Sequence, residues 1–262
     1  MTGVIEVSEA YQKIMAAKLK KDEIAILWLG QAGFLIKDDN STIVAIDPYL
    51  SDCGERLKGF VRCSPKSITA DELKPDLYVT THLHFDHFDY DTLPIVASHS
   101  DSIFLGPESC CLKFAEYNLE PARIMQLNLL KEIEYKNIKI TAVFADHGSL
   151  SPDAIGILMT INGIILYFSG DTAYRPEQLT WLAENPPDIS FLSINGKFGN
   201  LNASEGARLA HDIKTKNAIP CHYGTFNEHG GDPLSFAAEM SILAPDCQVI
   251  LMNQSELLLY HR

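Results

Sequence analysis

A series of short apolar runs, each closed by Gly, Asp, Asn or Pro, limits this chain to a fold built on β-sheets. Ile24-Ala-Ile-Leu-Trp28, Gly33-Phe-Leu-Ile-Lys37 and Thr42-Ile-Val-Ala-Ile46 come first, with the spacing of consecutive paired strands. Runs at 77–80, 102–105, 138–144, 154–159, 164–168 and 189–193 continue the series. Amphipathic or helix-forming stretches stand at 8–21, 107–118, 175–184, 203–214 and 233–243, too few and too irregular for a regular βαβ alternation. The pattern predicts an α+β chain in α/β layers: two sheets packed together and covered by helices. With 262 residues, 46% of them hydrophobic, the chain can bury such a core as one domain over 1–262.

The chemistry concentrates where the run ending near Thr80 stops. His82, His84, Asp86 and His87 fall within six positions. In an extended segment residues two apart point the same way, so His82 and His84 can face one ion while Asp86 and His87 turn towards a second. Imidazole and carboxylate ligands suit zinc, manganese or iron, and no cysteine joins the pattern to bias it towards zinc.

Thr81-His-x-His-x-Asp-His87 resembles the signature of the metallo-β-lactamase superfamily, and further elements of that family follow in order. Asp47 closes the run at 43–46, His147 stands in Ala145-Asp-His-Gly-Ser149, Asp171 in Phe168-Ser-Gly-Asp-Thr172, and His222 in Pro220-Cys-His-Tyr-Gly-Thr-Phe226. The resemblance implies an αββα sandwich of two mixed β-sheets flanked by helices. It implies one or two divalent ions, Mn2+ or Zn2+, with His82, His84 and His147 on one metal, Asp86, His87 and His222 on the other, and Asp171 bridging. Asp86, Asp171 and His222 then carry the reaction as well as the metal, and Asp47 accepts a hydrogen bond that orients a ligand.

Flanking pieces are similar to the L-ascorbate-6-phosphate lactonase branch: Ile46-Asp-Pro-Tyr-Leu-Ser-Asp52, Arg62-Cys-Ser-Pro65, Lys74-Pro-Asp-Leu77, Asp86-His-Phe-Asp89, Ser193-Ile-Asn-Gly196, Asn202-Ala-Ser-Glu205 and His222-Tyr-Gly-Thr-Phe226. That likeness implies a homo-oligomer that opens a phosphorylated sugar lactone. Metal-activated water would attack the ring carbonyl, its pKa lowered towards about 7. Phosphodiester hydrolysis, metal binding without turnover and a diiron redox site are the alternatives.

Charge narrows the partners. Against 34 acidic residues stand 21 basic ones, a net charge of −13, which disfavours nucleic acid and anionic membrane but allows a small anionic substrate. Lys58, Arg62, Lys66, Arg175 and Lys197 lie nearest the motifs in sequence; Arg62, able to grip a phosphate bidentately, is the first choice to bind substrate, with Asn195 and Tyr223 beside it. His99, His211, His229 and His261 match no element and default to structural or solvated roles. The six cysteines show no CxxC spacing and read as reduced thiols. The first ten residues lack the basic and apolar regions of a signal peptide, and no apolar run approaches the length of a membrane span, which predicts a cytoplasmic protein.

Overall fold

The computed structural model describes residues 8–262; residues 1–7, most of the N-terminal stretch just considered, lie outside it. The strands are β1 (Glu23–Gly30), β2 (Gly33–Lys37), β3 (Ile43–Ile46), β4 (Leu77–Val79), β5 (Ile103–Gly106), β6 (Ile124–Gln126), β7 (Glu132–Tyr135), β8 (Ile138–Phe144), β9 (Ile155–Ile161), β10 (Ile164–Phe168), β11 (Ile189–Ser193), β12 (Asn217–Cys221), β13 (Gln248–Val249) and β14 (Leu257–His261). They form two seven-stranded sheets, ordered β14-β1-β2-β3-β4-β5-β6 and β13-β12-β11-β10-β9-β8-β7. In each sheet four antiparallel strands are followed by three parallel ones, so the halves share a plan that leaves no trace as sequence identity.

Burial on both faces explains why the strands read as continuous apolar runs. Ile24, Ile26 and Trp28 of β1 point between the sheets, where Phe34, Phe168 and Phe191 meet. Ala25, Leu27 and Leu29 point outward beneath α1 (Glu9–Ala16), α3 (Thr92–His99) and α4 (Glu108–Glu116). On the far side α6 (Ala203–Asp212) and α7 (Pro233–Leu243) cover the second sheet through Ala207, Leu209, Ala210, Phe236 and Met240. Two short helices, α2 (Cys53–Lys58) and α5 (Pro176–Leu179), complete the set. The architecture is the αββα sandwich expected. No helix among the described residues is long and apolar enough to cross a membrane, and all six cysteines are free thiols.

Several boundaries differ from the pattern for physical reasons. The helix expected over 8–21 ends at Ala16, because the Lys37 ammonium, buried, donates to the carbonyls of Ile14, Met15 and Ala17 at 3.1, 2.6 and 2.9 Å and closes its C-terminus. The stretch 175–184 forms one α-turn and then a 3-10 segment. Asn202-Ala-Ser-Glu205 is a reciprocal capping box that starts α6, its two bonds 3.0 Å long.

Candidate metal centre

Every candidate ligand hangs from one edge of the sandwich, after the C-terminal end of a strand. The first sheet delivers His82 to His87 after β4; the second delivers His147 after β8, Asp171 after β10 and His222 after β12. The stretch from His82 to His87 is a succession of turns, not the extended segment expected: the amides of His87 and Phe88 both donate to the carbonyl of His84, at 3.0 and 2.8 Å. Chain reversal therefore, rather than strand pleat, brings His82 Nε2 within 3.0 Å of His84 Nδ1.

Two groups result. His82, His84, His147 and Asp171 form one and Asp86, His87 and His222 the other, each with ligand atoms within 4.8 Å of one another. Asp171 spans both: Oδ1 lies 3.2 Å from His87 Nε2 and 3.1 Å from His222 Nε2, while Oδ2 lies 3.7 Å from His147 Nε2 and 4.0 Å from His82 Nε2. Burial would raise the carboxyls of Asp86 and Asp171, but the imidazoles of His87 and His222 hold both far below the usual range.

These residues fit divalent cations. His84 Nδ1 stands 3.2 Å from His147 Nε2, and His87 Nε2 stands 3.0 Å from His222 Nε2. Nitrogens each about 2.0–2.1 Å from a tetrahedral ion would be roughly 3.3 Å apart, close to this spacing. Asp171 Oδ1, fully buried, makes no hydrogen bond, a costly state for a carboxylate oxygen unless a cation meets it.

The surroundings set the tautomers. Asp47 Oδ2 lies 2.7 Å from His87 Nδ1, so that nitrogen donates and Nε2 is the one that faces the cluster. The Thr81 hydroxyl donates to the same Asp47 oxygen at 2.6 Å and meets His82 Nδ1 at 3.1 Å, extending the lock to a second imidazole. We expect Asp47→Ala to weaken metal binding about 10- to 100-fold while the sheets persist, read by metal titration alongside circular dichroism. Unchanged affinity would leave Asp47 as a turn residue only.

A cavity of about 260 Å³ opens over the clusters, lined by His84, Asp86, Asp171 and His222 at its floor and by His229, Phe60, Phe85, Phe198, Leu150 and Lys58 around its walls. Arg62 is not in that wall. Its guanidinium, buried over the Tyr49 ring, donates to the carbonyls of Tyr49 at 2.9 Å and Ser51 at 3.1 Å. Asn195 is buried without a side-chain partner, and Tyr223 packs on Trp28; neither lines the cavity. Lys66 and Arg175 pair with Asp52 and Asp146 at 2.6 and 2.7 Å.

Two residues stand at the site without a motif to announce them. Gln31, in the β1–β2 turn, places Nε2 2.7 Å from Asp86 Oδ2 and 2.8 Å from His229 Nδ1. His229 stacks on His222 with centroids 4.9 Å apart and planes 13° apart, and burial pushes its imidazole down to about 4.

Comparison with known proteins shows the family and the fold. A family model described as a beta-lactamase superfamily domain matches residues 25–222. A UPF0173 metal-dependent hydrolase of Methanobrevibacter smithii is 29% identical over 255 residues, covering 90% of this chain and 97% of the relative. A UPF0173 protein of Pyrococcus furiosus is 31% identical over 215 residues, covering 82% and 90%. Among solved structures, the metallo hydrolase Igni18 of Ignicoccus hospitalis superposes with a TM-score of 0.73 at 21% identity, covering 92% of this chain and 99% of that one.

Proposed function

Because the chain belongs to the metallo-β-lactamase superfamily, and within it to the UPF0173 family of metal-dependent hydrolases, we infer that it adds water across an acyl–oxygen bond of a small ester or lactone. The observation that carries this reading is Asp171, whose two oxygens each face a different imidazole group at the floor of one cavity. Bound divalent cations supply acidified water and polarise the oxygen of the electrophile. The chain's own residues do the rest. Asp47 and Thr81 hold the imidazoles in orientation, and Phe60, Phe85, Phe198 and Leu150 keep bulk water from the floor.

The walls favour a compact, largely apolar acyl compound. A volume of about 260 Å³ lies below the ~300–1,000 Å³ usual for ligand pockets. Three phenyl rings and a leucine offer no hydrogen bonds to a hydroxylated sugar. The lactone that the sequence resemblance implies fits the metal chemistry, and its phosphate would find one cation in the wall, Lys58. The discriminating assay sets alkyl and aryl lactones, sugar-lactone phosphates and model phosphodiesters against manganese- and zinc-loaded protein. Turnover confined to phosphodiesters would replace the acyl reading.

Two variants separate anion binding from architecture. Lys58→Ala should raise KM for an anionic lactone by up to about tenfold and leave its neutral analogue unchanged, since Lys58 is exposed and screened. Arg62→Ala should instead lower the melting temperature and affect both substrates equally, because it strips buried carbonyls of their donor. A selective loss with Arg62→Ala at full thermal stability would return the anion site to Arg62.

A further inference from the structure

We propose that Gln31 fixes His229 as its Nε2–H tautomer, and that this N–H is a substrate-contacting donor that hydrogen-bonds the leaving oxygen from the His222 side of the cavity. Asp86, a carboxylate beside imidazoles, can only accept, so the Gln31 amide must turn its nitrogen to Asp86 Oδ2, 2.7 Å away. The second N–H of the same nitrogen has His229 Nδ1 as its nearest acceptor at 2.8 Å, with the ring nitrogens of His222 farther off at 3.3 and 3.4 Å, so His229 Nδ1 accepts. A neutral imidazole that accepts at Nδ1 carries its proton on Nε2.

Nothing in this device is free to drift. Gln31 is fully buried, and its carbonyl receives the indole N–H of Trp28 at 3.0 Å and the amide of His222 at 2.9 Å. The ring of His229 lies flat on His222 and meets Phe60, Phe198 and Phe226 edge to face, at 5.8, 5.5 and 5.1 Å between centroids. Gly230 follows because a Cβ there would sit 2.3 Å from the carbonyl oxygen of Asn195, so backbone meets backbone and seats the loop. His229 Nε2 has no hydrogen-bond partner among the described residues, while the ring lines the cavity. A buried polar bridge thus runs from a metal-site carboxylate to an N–H donor in the substrate wall. A donor aimed at a leaving oxygen is worth most as that oxygen gains charge, which is the condition for lowering a barrier rather than tightening ground-state binding.

The tautomer stands independently of the hydrolytic reading; only the identity of the oxygen rests on it. Two-bond 1H–15N correlation spectra of the full-length protein at pH 7.5 distinguish a protonated ring nitrogen from an accepting one. The His229 signals are identified by their loss in His229→Phe, which keeps the ring stack. The expected result is protonated Nε2 and accepting Nδ1, exchanged in Gln31→Glu because a carboxylate can only accept from Nδ1. Protonated Nδ1 in the native protein, or no exchange in a folded Gln31→Glu, overturns the role of Gln31. For the contact, aryl acetates of increasing phenol pKa are hydrolysed by native protein and by His229→Phe of equal metal content. The variant should match the native enzyme on the most acidic phenols and fall behind about tenfold to a hundredfold on the least acidic. Parallel dependences would show that Nε2–H does not touch the leaving oxygen. If the native protein hydrolyses no ester, the hydrolytic reading fails alone and the spectra still decide the tautomer.

Discussion

Asp171→Ala should leave a folded protein that keeps one metal ion and loses turnover by roughly two to four powers of ten, the rate equivalent of several kcal/mol at 1.36 kcal/mol per tenfold. The asymmetry follows from the geometry. Without the carboxylate, His82, His84 and His147 remain a three-imidazole set of the kind that holds zinc elsewhere. Asp86, His87 and His222 lose the oxygen that lies 3.1–3.2 Å from both imidazoles, and two cations lose the negative charge between them. The second group should empty first. Elemental analysis, circular dichroism and turnover on one sample decide it. Two bound metals with near-normal turnover would reduce Asp171 to a turn residue and end the two-cation reading.

The second large effect is expected on chelation, and it should grow in acid. Cations that bind only the native state stabilise it by about 4 kcal/mol at a thousandfold excess over Kd, so stripping them should lower the melting temperature markedly. Burial holds His82, His84 and His147 below the ordinary imidazole value of 6.5, and pushes His229 to about 4. The unfolded chain protonates these groups near 6.5, so below that value it binds protons the folded chain refuses, and stability falls as pH falls. His87 runs the other way. Burial opposes its charge, but Asp171, Asp47 and Asp86 outweigh it and raise the imidazole, so its contribution is present below 6.5 and lost as pH rises through the folded value. Four depressed histidines outnumber one raised one. The stripped protein should therefore lose stability steadily from about pH 6.5 downward, while excess metal delays the loss by competing with protons for the same nitrogens. Thermal melts between pH 5 and 8 with and without chelator test this; identical curves with and without chelator would mean the clusters hold no metal that matters to folding.

The clusters that could hold a cation were legible because a cation demands a few residue types close together, and His82 to His87 meet that demand within one turn region. The double-sided core was legible too, since a strand such as Ile43–Ile46 is apolar at every position. Other strands were hidden. β12 contains Pro220, which argues against a central strand, yet β13 pairs only with Asn217 and Ala218 and has ended where the missing N–H would point. β7 alternates Glu132 and Glu134 with half-buried partners at a sheet edge, too weak a pattern to separate from a loop. The substrate wall was the least legible part. Arg62 drew the choice by charge and proximity, whereas its Nε and Nη2 donate to Ser51 and Tyr49 and its buried Nη1 meets no partner among the described residues; Gln31 and His229 meet across 198 positions, a contact for which local sequence carries no signal.

Ligands and walls have separate origins in this molecule. The candidate ligands follow strands whose side chains interlock on both faces, whereas Phe60, Leu150, Phe198 and His229 stand on connecting segments, and Phe198 and Leu150 are exposed. Leu150 makes none of the ring contacts that seat His229, so substitution there disturbs little packing, and the cavity lining can change at that point by small steps while the candidate ligands keep their places. Directed evolution towards a new substrate would accordingly find its fertile position at 150, whereas changes at 60 and 198 would also loosen His229, and the strands would offer a barren landscape.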